Sequence, residues 1–223
     1  MRQVRIAVLA SGRGSNLQAL LDDLAPDTAP GRVVLVLSNK ADAGALTRAR
    51  QAGVRAAALA DGAGDPLTLL ETLRSAEAEL VVLAGYLKRV PDAVVAAYRG
   101  RMLNIHPALL PAFGGPGMYG HRVHEAVLAS GARVSGASVH LVDEEYDHGT
   151  ILAQWPVPVR PGDTADTLAA RILAIEHRLL PAVVRAVCRR ILAGAPVEPL
   201  ASAADAFVLA NMPERLEAAL VNA

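Results

Sequence analysis

From Val4 to Pro107 the chain alternates short apolar runs, rich in Val, Leu and Ala, with stretches of helical spacing. No other feature constrains the fold as tightly. VRIAVLA (4–10) reads as a strand, and SNLQALLDDL (15–24) as a helix with Ser15 as its candidate N-cap. VVLVLSN (33–39) is a strand, and ADAGALTRARQAG (41–53) a helix stopped by Gly53. VRAAALA (54–60) is a weaker strand, PLTLLETLRSAEA (66–78) a helix and LVVLAGY (80–86) a strand. PDAVVAAYRG (91–100) is a short helix and RMLNIHP (101–107) a strand. Such alternation predicts a parallel sheet with right-handed crossovers.

After Pro107 the pattern changes. PALLPAFGGPGMYG (107–120) is a Pro- and Gly-rich loop, long enough to suggest a functional role. GHRVHEAVLASG is a helix ended by Gly131. ARVSGASVHLVD and TILAQWPVPV read as strands separated by the acidic loop EEYDHG, which predicts an added antiparallel pair. A long helix follows over 163–194, with Pro181 able to kink it. The expected class is α/β, a Rossmann-like mostly parallel sheet with flanking helices and an antiparallel strand pair. Residues 1–223 are expected to form one domain, with 195–223 as a C-terminal tail that starts a helix at Pro213-Glu214.

Three side chains near strand ends carry the chemistry. Asn104 and His106 lie two apart on a strand and share a face, and Asp147 sits in the loop of the later pair. An amide, an imidazole and a carboxylate together can polarise a carbonyl and move a proton. A carboxylate beside His106 would raise its pKa and favour the cation. The alternative for Asn104-Ile105-His106-Pro107 alone is a structural strand end.

Ser11-Gly12-Arg13-Gly14-Ser15-Asn16 joins the first strand to the first helix. Helix N-termini present unpaired N–H groups and favour phosphate. The loop is not GxxxxGK[ST], and Leu17 stands where GxGxxG needs its third glycine. A phosphate monoester is the expected ligand, against the alternative of an ordinary strand–helix turn.

All six histidines lie between 106 and 177. His121 and His124 stand i, i+3 on one helix, but no HExxH or CxxC supports a metal, and none is expected. His140, in mid-strand, reads as a satisfied core histidine, and His177 as a polar tip on the long helix. Cys188, the one cysteine, reads as a buried small hydrophobe in a reducing compartment. Lys plus Arg and Asp plus Glu are both 22, so no charge excess points to nucleic acid or an acidic membrane. No stretch is long and apolar enough to span a bilayer. A cytoplasmic location is expected, and a homodimer through an exposed sheet edge is compatible with the sequence.

SGRGSNLQAL, VVLAGYLKRV, LNIHPALLPAF, SVHLVDEEYDHGTILAQ and PGDTADTLAARILAIEH resemble the phosphoribosylglycinamide formyltransferases of purine synthesis, from about residue 4 to 195. The resemblance implies formyl transfer from 10-formyltetrahydrofolate to the amine of phosphoribosylglycinamide through a tetrahedral intermediate. It implies that Asn104 and protonated His106 donate to the oxyanion, and that Asp147 keeps His106 protonated and accepts a proton from the amine. Gly14, Ser15 and Asn16 would hold the phosphate, and Glu176 the other end of the ribonucleotide. Leu87, Lys88, Arg89 and Val90 on one side, with Asn104, Val142 and Asp143 on the other, would hold the folate. It also implies a cis bond at Pro111 and matches His124, rather than His121, to a helix histidine of the family. Some members carry an arginine for the folate tail where Asp61 to Leu70 here has none.

The rivals are formyltetrahydrofolate deformylase, which carries a domain before the first strand, and methionyl-tRNA formyltransferase, which carries one after the catalytic domain. Chain length disfavours both. A catalytically silent phosphoribosyl-ligand sensor and a metal-dependent hydrolase are the readings from other classes.

Overall fold

The computed structural model describes residues 2–59 and 65–200. Within them one seven-stranded sheet runs in the order β3-β2-β1-β4-β5-β6-β7. β1 (Val4–Leu9), β2 (Gly31–Ser38), β3 (Arg55–Ala58), β4 (Leu80–Leu83) and β5 (Met102–His106) are parallel. β6 (Val134–Leu141) and β7 (Ile151–Pro158) form an antiparallel hairpin, and β6 also runs antiparallel to β5. The expected class is the observed one.

Burial explains the apolar runs. β1 is almost wholly buried and β4 entirely so, because layers cover both faces. One layer packs Leu17, Leu20, Leu46, Leu179, Val183 and Val187 against the sheet, and the other Leu69, Leu73, Val94 and Tyr98. β3, the weak strand, is a short and largely exposed edge.

The helices are shorter than their sequence periodicity suggests: α1 (Ser15–Asp23), α2 (Gly44–Gln51), α3 (Pro66–Ser75), α4 (Asp92–Ala97) and α5 (His121–Ala129). α6 (Ala165–Leu192) continues through Pro181 for 28 residues. Its N-terminus is tied down twice. Thr164 and Thr167 exchange hydrogen bonds in a capping box, and Asp163 takes a two-pronged bond from Arg171 at 2.7 and 2.8 Å. That guanidinium holds the Asp163 carboxyl well below the usual carboxylate range.

One cap differs from expectation. Ser15 is the first helical residue, and Gly14 is the N-cap, left-handed at φ 75° with no side-chain cap bond. Packing demands this glycine, since a Cβ there would lie 2.6 Å from Ala45 Cα. No helix among the described residues is long and apolar enough to cross a membrane. Ala60, the 61–64 part of the segment without arginine and the helix start at 213–214 lie outside the described residues.

Candidate active site

The strand order reverses direction between β1 and β4, and ligands in such sheets collect beyond the strands' carboxyl ends at that point. Ser11, just past β1, joins the strand ends there. Its hydroxyl bonds Asn39 beyond β2 and accepts from the Leu87 N–H beyond β4 at 2.8 Å, while its own N–H donates to Gly85 O at 3.0 Å. A cavity of about 620 Å³ opens at this edge, within the usual range for small-molecule sites.

Asn104 and His106 reach it from β5. His106 is 3% exposed, and its Nε2 donates to Phe113 O at 2.8 Å, which leaves Nδ1 facing Asp147 Oδ2 at 3.5 Å. Asp147 stands in the β6–β7 loop with φ 55°. Its Oδ2 accepts from Gly115 N at 2.9 Å and its Oδ1 from Asn104 Nδ2 at 3.3 Å. The glycine-rich loop thus closes directly onto the carboxylate. Glycines make the approach possible on both sides. A Cβ at Gly114 would lie 3.0 Å from Asp147 Cβ, and one at Gly149 only 1.9 Å from Leu141 O.

The imidazole–carboxylate couple behaves differently from the expectation for His106. Burial depresses its pKa, and the opposing push from Asp147 does not overcome it. Asp147 itself is held below its ordinary value despite burial, chiefly by the neighbouring imidazoles of His140 and His106. Burial thus favours the neutral form of His106, and the partners of Asp147 favour its ionised form.

His140 is the site residue that sequence reasoning assigned to the core. It is buried, but β5–β6 register sets it opposite Asn104. Its Nε2 lies 3.0 Å from Asn104 Nδ2 and 3.6 Å from Asp147 Oδ1. The motif carried no signal for this, since a cross-strand partner is fixed by register.

At the other end of the cavity, Asn16 Nδ2 donates to Glu176 Oε2 at 2.7 Å. The two expected substrate-binding residues therefore touch, although they were assigned to opposite ends of the ribonucleotide. Burial raises the pKa of Glu176. Gln18 N–H donates to Gly14 O at 2.9 Å, so the first-turn N–H groups of Ser15, Asn16 and Leu17 precede the first intrahelical bond. Gly14 and Ser15 lie outside the cavity lining, whereas Arg13 and Asn16 are in it.

Leu87, Lys88, Arg89, Val90, Val142 and Asp143 all line the cavity. Arg89 is tied to Asp92 at 2.6 Å and to Glu144 O at 3.0 Å, and Asp143 Oδ2 lies 2.9 Å from His148 Nδ1. Tyr86 OH, Asn16 Oδ1 and His124 Nδ1 are buried without a hydrogen-bond partner among the described residues, and their residues line the same cavity. Such atoms suit a polar ligand.

His124 is buried and neutral, its pKa depressed to about 4 by burial first and the neighbouring histidines next. His121 instead pairs with Asp166 at 3.2 Å. Among the described residues no group of three His, Cys, Asp or Glu is placed to hold a metal ion. Leu110–Pro111 is cis. Cys188 is fully buried, its thiol pushed up to about 12 by that burial, in keeping with a packing role.

A Rossmann-like sheet with an amide, imidazole and carboxylate at its carboxyl edge defines a class, and residues 4–184 match the formyl transferase family, to which the chain belongs. Within that family its relatives include phosphoribosylglycinamide formyltransferases. The Escherichia coli protein of that name is 41% identical over 186 residues, 81% of this chain and 85% of its own length. The chloroplastic protein of Vigna unguiculata is 44% identical over 193 residues, 84% of this chain, and the chain spans 62% of its length. The crystal structure of the Anaplasma phagocytophilum protein superposes with a TM-score of 0.79 at 34% identity, covering 84% of this chain and 88% of that one.

Proposed function

We propose that the chain transfers a formyl group from 10-formyltetrahydrofolate to the amine of phosphoribosylglycinamide in purine biosynthesis. The observation that carries this reading is that one cavity joins His106, Asn104 and Asp147 to the Asn16–Glu176 pair. The likeness to proteins of that name, at 41% identity for the Escherichia coli protein, supports the same substrates.

The folate supplies the formyl carbon, and the residues around it supply binding and proton transfer. Arg13 and the free N–H groups at the start of α1 hold the phosphate. Asn16 reaches from that turn to Glu176, which holds the other end of the ribonucleotide. Leu87 to Val90 grip the pterin from one side, and Val142 with Asp143 from the other. Asp147 takes the proton that the attacking amine sheds and passes it to His106, whose Nδ1 stands 3.5 Å away. The imidazolium Nδ1–H then donates to the carbonyl oxygen as it gains charge, a contribution of ~3 kcal/mol for one well-placed donor. His106 finally returns the proton to the departing folate nitrogen, so the amine loses what the leaving group gains. A single thiol, buried and unreactive, supports a cytoplasmic location.

A formyl-transfer assay with both substrates tests this. Turnover that requires the ribonucleotide is expected. Formate release without ribonucleotide would instead identify a deformylase. Tight ribonucleotide binding with no turnover would identify a silent sensor.

A further inference from the structure

His148 follows Asp147 directly in the chain, yet it does not line the main cavity. Its side chain is 67% exposed and lines a second, smaller cavity of about 230 Å³ behind Asp147. Nδ1 lies 2.9 Å from Asp143 Oδ2. An ionised carboxylate only accepts, so Nδ1 carries the hydrogen and Nε2 is the nitrogen that titrates. The other oxygen of Asp143 accepts from Glu145 N at 3.0 Å. One carboxylate thus ties positions 143, 145 and 148 of the β6–β7 loop together from inside.

The ends of that loop are fixed by the backbone. Leu141 N donates to Thr150 O at 2.8 Å, and Val142 N to Met102 O at 2.8 Å. Between them the chain passes through Asp147 at φ 55°, a conformation uncommon for residues other than glycine. The Asp143–His148 contact spans this stretch and closes it. Asp143 lines the main cavity and His148 does not. His148 therefore acts on a ligand there only through Asp143 and the loop that the pair holds.

We propose that His148 is a positioning residue: by clasping Asp143 it holds the Val142–Asp143 wall of the folate cleft in place without touching the ligand. The proposal rests on the formyl-transfer reading for the identity of that ligand, but the clasp belongs to the protein itself. The hydrogen bond and charge of Asp143, and then the charge of Glu145, raise the pKa of His148. Among the described residues the smaller cavity adds only Asp147 as a further charge, and its oxygens turn to Gly115 and Asn104. The imidazolium therefore makes the stronger clasp. Loss of its proton leaves the Nδ1 hydrogen bond without the charge.

The test is a double-mutant cycle on the full chain, read in the KM for 10-formyltetrahydrofolate. At about pH 6, His148→Ala should raise that KM about two- to fivefold, the size of an exposed ion pair, with the ribonucleotide KM unchanged. In an Asp143→Ala background the same substitution should change nothing further. His148→Asn still offers a donor to Asp143 but no charge, and should fall between wild type and His148→Ala. The wild-type advantage over His148→Asn should shrink as pH rises through the His148 pKa. An unchanged folate KM in His148→Ala, an effect that persists without Asp143, an equal rise in both KM values, or an advantage that ignores pH would each overturn the proposal. Proton NMR of the imidazole reads the clasp without turnover. The His148 pKa should lie above 6.5 and fall toward that value in Asp143→Ala. An ordinary pKa in the wild type would overturn the clasp. A raised pKa that falls in Asp143→Ala, with no formyl transfer by the wild type, would refute the function and leave the clasp standing.

Discussion

At the scale of single residues, Asp147 has the most connections: Gly115 N, Asn104 Nδ2, His106 and His140 all bear on its two oxygens. Asp147→Asn keeps the shape and removes the charge that takes the proton. Circular dichroism should be unchanged, and kcat should fall by roughly two orders of magnitude or more. Turnover near wild type would remove Asp147 from the mechanism. Asn16 is the corresponding residue at the phosphate end. Ser15→Ala and Asn16→Ala should raise the KM for the ribonucleotide and leave that for the folate alone. Asn16→Ala also strips Glu176 of its 2.7 Å partner, which should cost roughly 1–3 kcal/mol in a denaturant titration. A rise in the folate KM alone would refute the assignment. Asn104, His106 and Asp147 were legible because an unusual residue trio stands at strand ends. His140 was not, because a mid-strand histidine looks the same whether it faces methyl groups or an amide.

At the scale of elements, strands and crossovers were readable because burial on both faces leaves continuous apolar runs, as in LVVL of β4. Helix ends were less readable. Ser15 has the chemistry of a cap, yet contact between Gly14 and Ala45 gives the cap to the glycine. The depression of the His106 pKa was hidden for a similar reason, since burial is a property of the assembled layers. α5 offers a test of such burial. Its His124 has a pKa lowered from 6.5 to about 4. Between those values the unfolded chain binds the proton and the folded one does not, so stability is complete above pH 6.5 and drains away as pH falls toward 4. Melting temperatures across that range should fall more steeply for the wild type than for His124→Gln. Parallel curves would show that His124 titrates normally.

At the scale of the whole molecule, the cavity is walled by α1, the ends of β4 and β5, the glycine loop, α5, the β6–β7 loop and α6. Ribonucleotide binding should therefore stabilise the fold globally. At a hundredfold excess over Kd the gain should be ~2.7 kcal/mol, read as a rise in the unfolding midpoint. The single tryptophan, Trp155, is buried on β7 away from the cavity lining, so its fluorescence should report unfolding and stay silent to ligand. A midpoint unmoved by ligand would count against binding at this cavity. The Asn16–Glu176 bond has one more consequence, because it joins positions 160 residues apart. During synthesis on the ribosome, the first strands and the glycine turn emerge long before α6 does. Until α6 follows, a nascent chain has the phosphate loop without its carboxylate partner, so it passes through most of its translation unable to hold substrate in this way.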